Sequence, residues 1–135
     1  MPIEVEELEG ATDALAAKLA ERGILDNEAL VEAASTPSKR KELASFCGCE
    51  TGEILQLANR ADLARVRGIG GVYSDLLEIA GVDTVKELAT RRPDRLYAKI
   101  AETNGRDKLT TKPPTQAMIE DWIKQAKGLT PILTY

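Results

Sequence analysis

An all-α fold is what the sequence predicts, and three observations predict it. Apolar residues recur at helical spacing almost throughout the 135 residues, and alternation of β-branched residues over a strand's length is nowhere convincing. Glycine, proline and Ser/Thr/Asp/Asn signals punctuate these stretches at the intervals of short helices. Turn glycines and apolar positions also repeat at one fixed interval, Gly10 with Gly68, Leu19 with Leu77, Gly23 with Gly81 and Leu30 with Leu88. On the same shift Val5, Leu8, Ala11 and Ile24 meet Leu63, Val66, Ile69 and Val82. Glycines matched at both ends of a helix are hard to obtain by chance, so the pattern reads as an internal duplication. The expected architecture is one compact unit of about eight to nine short helices without a sheet. Residues 1–59 form an acidic first repeat, 60–128 a second, and 129–135 a C-terminal tail.

Each element has its own signal. Leu15 and Leu19 share a face with Ala11 and Ala16 in a helix over about 12–22 that Gly23 stops. Asp26 or Asn27 caps the next, which carries Leu30 and Val31 to about Ala34. Ser35-Thr36-Pro37-Ser38 breaks the chain and starts a helix with Leu43 and Phe46, ended by Gly48. A helix from about Thr51 holds Ile54, Leu55, Leu57 and Ala58. Leu63 and Val66 are expected in a separate short helical turn before Gly68. Val72, Leu76, Leu77 and Ile79 form the next helix, stopped by Gly81. Thr84-x-x-Glu87 is expected to be a capping box ahead of Val85 and Leu88. Pro93 opens a helix with Leu96 and Ile100 that Asn104-Gly105 closes. Residues 105–114, with Lys112-Pro113-Pro114, read as an exposed loop. Met118, Ile119, Trp122, Ile123 and Ala126 form the last helix, and Pro131 to Tyr135 carries no assignable pattern.

Composition narrows the function. Leu, Ile, Val and Phe make up roughly a quarter of the chain, above the range of disordered sequences, so a core can be buried. No apolar run nears the roughly 20 residues of a membrane span, and no signal segment opens the chain, which points to a cytoplasmic protein without membrane contact. With no His and only two Cys, imidazole acid-base chemistry and the common zinc sites are removed. No nucleophile, metal site or cofactor motif emerges, and no enzyme is expected. The net charge of −4 argues by itself against a polynucleotide partner. Its distribution alters that. The segment ending at Asn59 carries 5 Lys or Arg against 12 Asp or Glu, and the remainder 13 against 10. The acidic part includes Glu4, Glu6, Glu7 and Glu9, although two solvated faces would look the same.

One motif carries chemistry. Leu63-x-x-Val66-x-Gly68-Ile69-Gly70-x-x-x-Ser74-x-x-Leu77 places a tight Gly-apolar-Gly turn between two helices. Gly68 and Gly70 permit angles and approaches that a β-carbon blocks, and Ile69 plugs the turn into the core. The turn amides and the following helix N-terminus then face outward, where a phosphate oxygen can be accepted. Arg65, Arg67, Gly68, Ile69, Gly70, Gly71 and Ser74 are the candidate site, with Arg91, Arg92, Arg95 and Lys99 as auxiliary basic contacts. The first repeat has Gly10-Ala11-Thr12 between Glu9 and Asp13, which keeps the turn but repels anions. The same glycines also suit a tight turn with no ligand.

The pattern resembles the helix-hairpin-helix motif. Asn59-Arg60-Ala61-Asp62-Leu63, Arg67-Gly68-Ile69-Gly70, Tyr73-Ser74-Asp75-Leu76-Leu77 and Ala80 through Leu88 are similar to a bacterial family of tandem helix-hairpin-helix proteins, domain of unknown function 4332. The similarity continues through Arg92-Pro93-Asp94, Leu96 through Ile100, and Asp121 through Ala126, covering most of residues 8–128. The resemblance implies the fold. From the broader motif it also implies sequence-independent contacts to a DNA or RNA backbone. A protein-interaction or scaffold module, with another protein or a second copy as partner, is the competing expectation.

Other constellations read as structural. Cys47-Gly48-Cys49 lacks the spacing and further ligands of a metal or redox site. Lys39-Arg40-Lys41 reads as a solvated helix face. Glu120 and Asp121 diverge around a helix, and Trp122 with Ile119 and Ile123 reads as core.

Overall fold

The computed structural model describes residues 2–135, and these form eight α-helices preceded by a 3₁₀ turn at Val5–Glu7. The helices are α1 (Asp13–Glu21), α2 (Asn27–Ala33), α3 (Pro37–Cys47), α4 (Thr51–Leu63), α5 (Gly71–Ile79), α6 (Val85–Leu88), α7 (Pro93–Asp107) and α8 (Gln116–Lys127). The predicted all-α class is correct. Among the described residues the only β-type pairing is an isolated bridge between Glu4 and Asp26.

Buried apolar residues gather in two clusters. One joins Leu19, Leu30, Val31, Leu43, Ile54 and Leu57 with neighbours from Val5 to Ala64, and the other joins Leu63, Leu76, Leu77, Leu88, Ile100, Ile119 and Trp122. Helices α2 and α3 pack on α4, α6 and α7 pack on α8, and α5 spans α4 and α7. Helix α4 belongs to both clusters and runs unbroken to Leu63, so Leu63 ends a long helix instead of starting a separate turn. The boundary between Asn59 and Arg60 therefore lies inside a helix.

Local geometry recurs at the interval that relates Gly10 to Gly68. Helices α1 and α5 start and stop at matching positions, Asp13 with Gly71 and Glu21 with Ile79, and each is followed by a left-handed glycine, Gly23 and Gly81. The amide of Ile24 donates to Leu19 and that of Val82 to Leu77, at 3.0 and 2.9 Å. Asp26 caps α2 through the Ala29 amide, and Thr84 caps α6 through the Glu87 amide. Helices α4 and α8 correspond at a longer interval: Ile54, Leu57, Ala58 and Ala61 are buried in one, Ile119, Trp122, Ile123 and Ala126 in the other. The lengthening falls in the connection after α7.

Two local expectations change. The Thr84–Glu87 box is half formed, because the Glu87 carboxylate accepts from the Asp83 amide one residue early and holds Arg91 with its other oxygen. Helix α7 continues through Asn104-Gly105 to Asp107, where Lys108 adopts the left-handed conformation that ends it. Asn104 does not break the helix because its side chain faces the following loop, bonding both the amide and the carbonyl of Thr110.

The tail has an assignable place after all. It returns to the first cluster, where Leu133 is buried and the Thr134 amide donates to the Ser35 carbonyl at 2.8 Å. Arg40, 3% exposed and not on a solvated face, donates to the carbonyls of Ala34 and Thr134 at 2.9 and 2.7 Å. Tyr135 lies over the Arg40 guanidinium and donates to Asn59. Arg40→Ala is expected to cost about 2 kcal/mol, since the buried Ala34 carbonyl and the partly buried Thr134 carbonyl lose charge-assisted partners. Urea unfolding followed by circular dichroism measures it.

Candidate functional site

The second hairpin is built where α4 ends. Arg65 and Val66 donate back to the carbonyls of Asp62 and Leu63, closing the last turn. Gly68 follows at φ +100°, a conformation that L side chains rarely adopt, and Ile69, 2% exposed, inserts into the core beneath. Gly70, unlike Gly68, does not need the freedom expected of it: it is the extended N-cap of α5 at φ −102° with open space where a β-carbon would stand, and it supplies no side chain to cap the helix. Helix α8 supports the turn from outside. The Arg67 amide donates to Gln125 Oε1 at 2.9 Å, and Gln125 Nε2 donates back to the Arg67 carbonyl at 3.1 Å. A β-carbon on Gly68 would come within 3.0 Å of the Trp122 indole nitrogen. Tyr73, in the first turn of α5, donates to the Lys112 carbonyl at 2.7 Å and brings the 108–115 loop alongside.

The first hairpin has the same outline and different chemistry. Gly10 adopts φ +92°, and the Glu9 carbonyl accepts from Arg60 as the Arg67 carbonyl accepts from Gln125. Thr12 stands where Gly70 stands, and its hydroxyl already accepts from the Leu15 amide at 3.2 Å. That N-terminus is capped by its own chain and flanked by exposed Glu9 and Asp13.

The candidate residues divide accordingly. Arg67 and Gly68 are exposed at the tip, and Arg67 forms no ion pair among the described residues. Two candidates are turned inward. Arg65 is held by Asp62 and by the Thr130 carbonyl, each at 2.9 Å. Ser74, fully buried, donates to the Gly71 carbonyl three residues earlier at 3.0 Å. Gly71 is required for packing: a β-carbon there would lie 2.0 Å from the Glu7 carbonyl oxygen. The auxiliary cluster lies elsewhere. Arg91 donates to the Gly81 carbonyl and to Glu87, beyond the C-terminal end of α5, about 14 Å along a nine-residue helix from the turn. Arg92 pairs with Asp94, and Arg95 and Lys99 are exposed on the first half of α7. Lys112, within the basic stretch expected to extend the contact, is brought beside the hairpin by the Tyr73 bond to its carbonyl, and Gln125, which sequence reasoning passed over, holds the Arg67 backbone. The signal for Gln125 is its equivalence to Arg60 when α8 is laid over α4.

Arg60 links the two hairpins. Besides the Glu9 carbonyl it meets Asp75 at 3.1 Å and Glu78 at 3.2 Å with its side chain mostly buried. Burial raises the Glu78 carboxyl above its ordinary value, Arg60 opposes this, and nearby Asp83 and Asp75 add to the rise.

Cys47 ends α3, and Gly48 caps it in the left-handed conformation. Burial raises both thiols, and Cys49, near Cys47, Glu53 and Glu50, is pushed up to about 11. A raised thiol pKa leaves less thiolate, so iodoacetamide should label Cys49 at pH 8.5 far more slowly than a free cysteine. The rate should still be climbing at pH 10, where a free thiol has levelled off; mass spectrometry reads it. Among the described residues no three His, Cys, Asp or Glu side chains are placed to hold a metal ion, and no helix is long and apolar enough to cross a membrane.

No curated protein and no solved structure matches the chain. A family model does, and it spans both hairpins, the junction in α4 and the α8 support. It is described as Domain of unknown function (DUF4332) and matches residues 9–129, so the chain belongs to that family.

Proposed function

We propose that this chain is a non-catalytic helix-hairpin-helix module that binds the backbone phosphates of nucleic acid, weakly and without sequence preference, through its second hairpin. One contrast carries the reading. At equivalent positions the first helix N-terminus is capped by Thr12, whereas the second presents amides that no side chain caps, next to an exposed Arg67 without an ion-pair partner. Helix N-termini of this kind attract anions, and a nearby guanidinium strengthens the attraction. The Glu7 carbonyl closes the flank at Gly71, so an anion approaches past Arg67 and Gly68. Duplication accounts for the arrangement, with residues 1–59 as a repeat whose hairpin is structural, 60–128 as the binding repeat, and 129–135 as a tail tying them together. The recurring caps, glycines and bonds support it.

Fluorescence anisotropy with labelled single- and double-stranded DNA and RNA tests this. Binding is expected at low salt, weakening steeply as salt rises because counterions are released. Arg67→Glu should abolish it, and Asp13→Lys should leave it intact. No binding at low salt, or binding indifferent to Arg67→Glu, overturns the reading.

A protein-interaction role is the second reading, favoured by Val72 and Ile79, one above the other on α5 and 53% and 40% exposed. Light scattering after size exclusion and capture of a defined partner test it. A strict monomer that recovers none counts against it.

A further inference from the structure

Corresponding positions in the two halves differ in what fills the space beside each hairpin. In the C-terminal half Tyr73 and Trp122 bring their rings to 5.3 Å between centroids. Trp122 lies under Gly68, and Tyr73 is tied to the loop that carries Lys112. Their equivalents in the N-terminal half, with α1 laid over α5 and α4 over α8, are Leu15 and Leu57. There the connection from α3 to α4 is only Gly48–Glu50, with no long loop to fold over. What remains is a cleft of about 470 Å³ with Leu15 and Leu57 on its apolar side, Cys47 and Cys49 at the end of α3, and Lys18 and Arg60 among its polar neighbours.

The chemistry of the lining selects the occupant. Leu15 is half-buried and forms the open apolar wall, and Leu57, only 2% exposed, lies at the floor beneath it. The thiols beside them are neutral at physiological pH. The Arg60 charge is already met by Asp75 and Glu78, and Lys18 lies against Glu21 and the Phe46 ring. Arg60 is thus committed and Lys18 only weakly paired, while Glu9 and Glu53 also line the cleft and repel an acidic ligand. The volume lies within the range of small-molecule pockets, which combine apolar walls with a few polar groups. The second half supplies the shape, since it fills the corresponding space with two aromatic rings of its own.

We propose that this cleft is a binding site for one planar aromatic ring of indole size without an acidic group, seated against Leu15 above Leu57 where the other half seats Tyr73 and Trp122. The site is separate from the second hairpin and does not depend on phosphate binding there. For a ligand of this size an affinity of about 0.1–1 mM is expected.

Indole is the probe, titrated into the full ¹⁵N-labelled chain and followed by two-dimensional NMR. Saturable shifts are expected at the amides of Leu15, Cys47, Cys49 and Leu57, with none at Tyr73 or Trp122. Leu57→Trp places in the cleft the side chain that the second half already carries and should weaken indole binding at least tenfold. A second measurement needs no variant: saturating indole should slow alkylation of Cys47 and Cys49 at least twofold in the unaltered chain. Absence of saturable shifts, shifts centred on other residues, or unprotected thiols overturns the proposal. Undiminished indole binding by folded Leu57→Trp does so too.

Discussion

Replacing Asp62 by alanine is expected to destabilise the fold by about 3–5 kcal/mol, the cost of breaking a buried charge pair from one side. Asp62 is 2% exposed, and its oxygens are committed in two directions. Oδ1 accepts from Arg65 at 2.9 Å at the entry to the second hairpin. Oδ2 accepts from the Val85 amide at 2.9 Å at the start of α6, far along the sequence. Alanine leaves the Arg65 guanidinium with the Thr130 carbonyl alone and strands a buried amide at a helix start. The Val85 amide, on a residue 1% exposed, cannot recover bulk water without opening the packing around α6. Asp62→Asn can still accept from Val85 and should lose less. Urea unfolding monitored by circular dichroism separates the two, and a loss below about 1 kcal/mol for Asp62→Ala would show that neither bond is needed.

Gly71→Ala is expected to cost about 3 kcal/mol, at the upper end for inserting one methyl group into close packing. The obstacle is backbone. The new β-carbon would lie 2.0 Å from the Glu7 carbonyl oxygen, next to the Leu8 amide, so no rotamer change relieves it. The acidic 3₁₀ turn and α5 must move apart, loosening the contact between the halves. Gly70→Ala is the control. Its β-carbon meets nothing within 4 Å and its φ of −102° suits any residue, so the change should cost no more than about 1 kcal/mol, the preference for glycine over alanine at an N-cap. Equal losses at the two positions would mean that flexibility, and not the Glu7 contact, is what the glycines supply.

These two residues show what was legible in the sequence and what was not. Most helix positions and stops, though not the end of α7 or the extent of α4 to Leu63, and the recurrence of Gly10 and Gly23 at Gly68 and Gly81 were readable because caps, left-handed glycines and apolar faces are local signals. The role of Ile69 as a plug followed from the same pattern. Arg65 and Arg67 looked alike in the hairpin, yet they part company. Asp62 stands three residues before Arg65 on the last turn of α4, a spacing that pairs them, while nothing three or four residues from Arg67 competes for it. Ser74 was open to the same check, since a helical serine readily bonds a carbonyl one turn back. Other features were out of reach. The Glu7–Gly71 contact, the tail's bonds to Ser35 and Arg40, and the placement of Lys112 by Tyr73 join segments distant in sequence, and no periodicity encodes them. Arg91, Arg92, Arg95 and Lys99 form a run in the sequence, but the length of α5 separates Arg91 and Arg92 from the hairpin.

On the proposed function, two hairpins of one backbone design have diverged so that only the second takes a phosphate. Two-dimensional NMR of the ¹⁵N-labelled chain, titrated at low salt with an unlabelled oligonucleotide, tests it residue by residue. Shifts are expected at Arg67, Gly68, Gly70, Gly71 and Val72 that vanish as salt is raised, with Lys112 following and Glu9 through Leu15 unmoved. Shifts centred on Gly10–Thr12, or equal in the two hairpins, or absent from both, would contradict it.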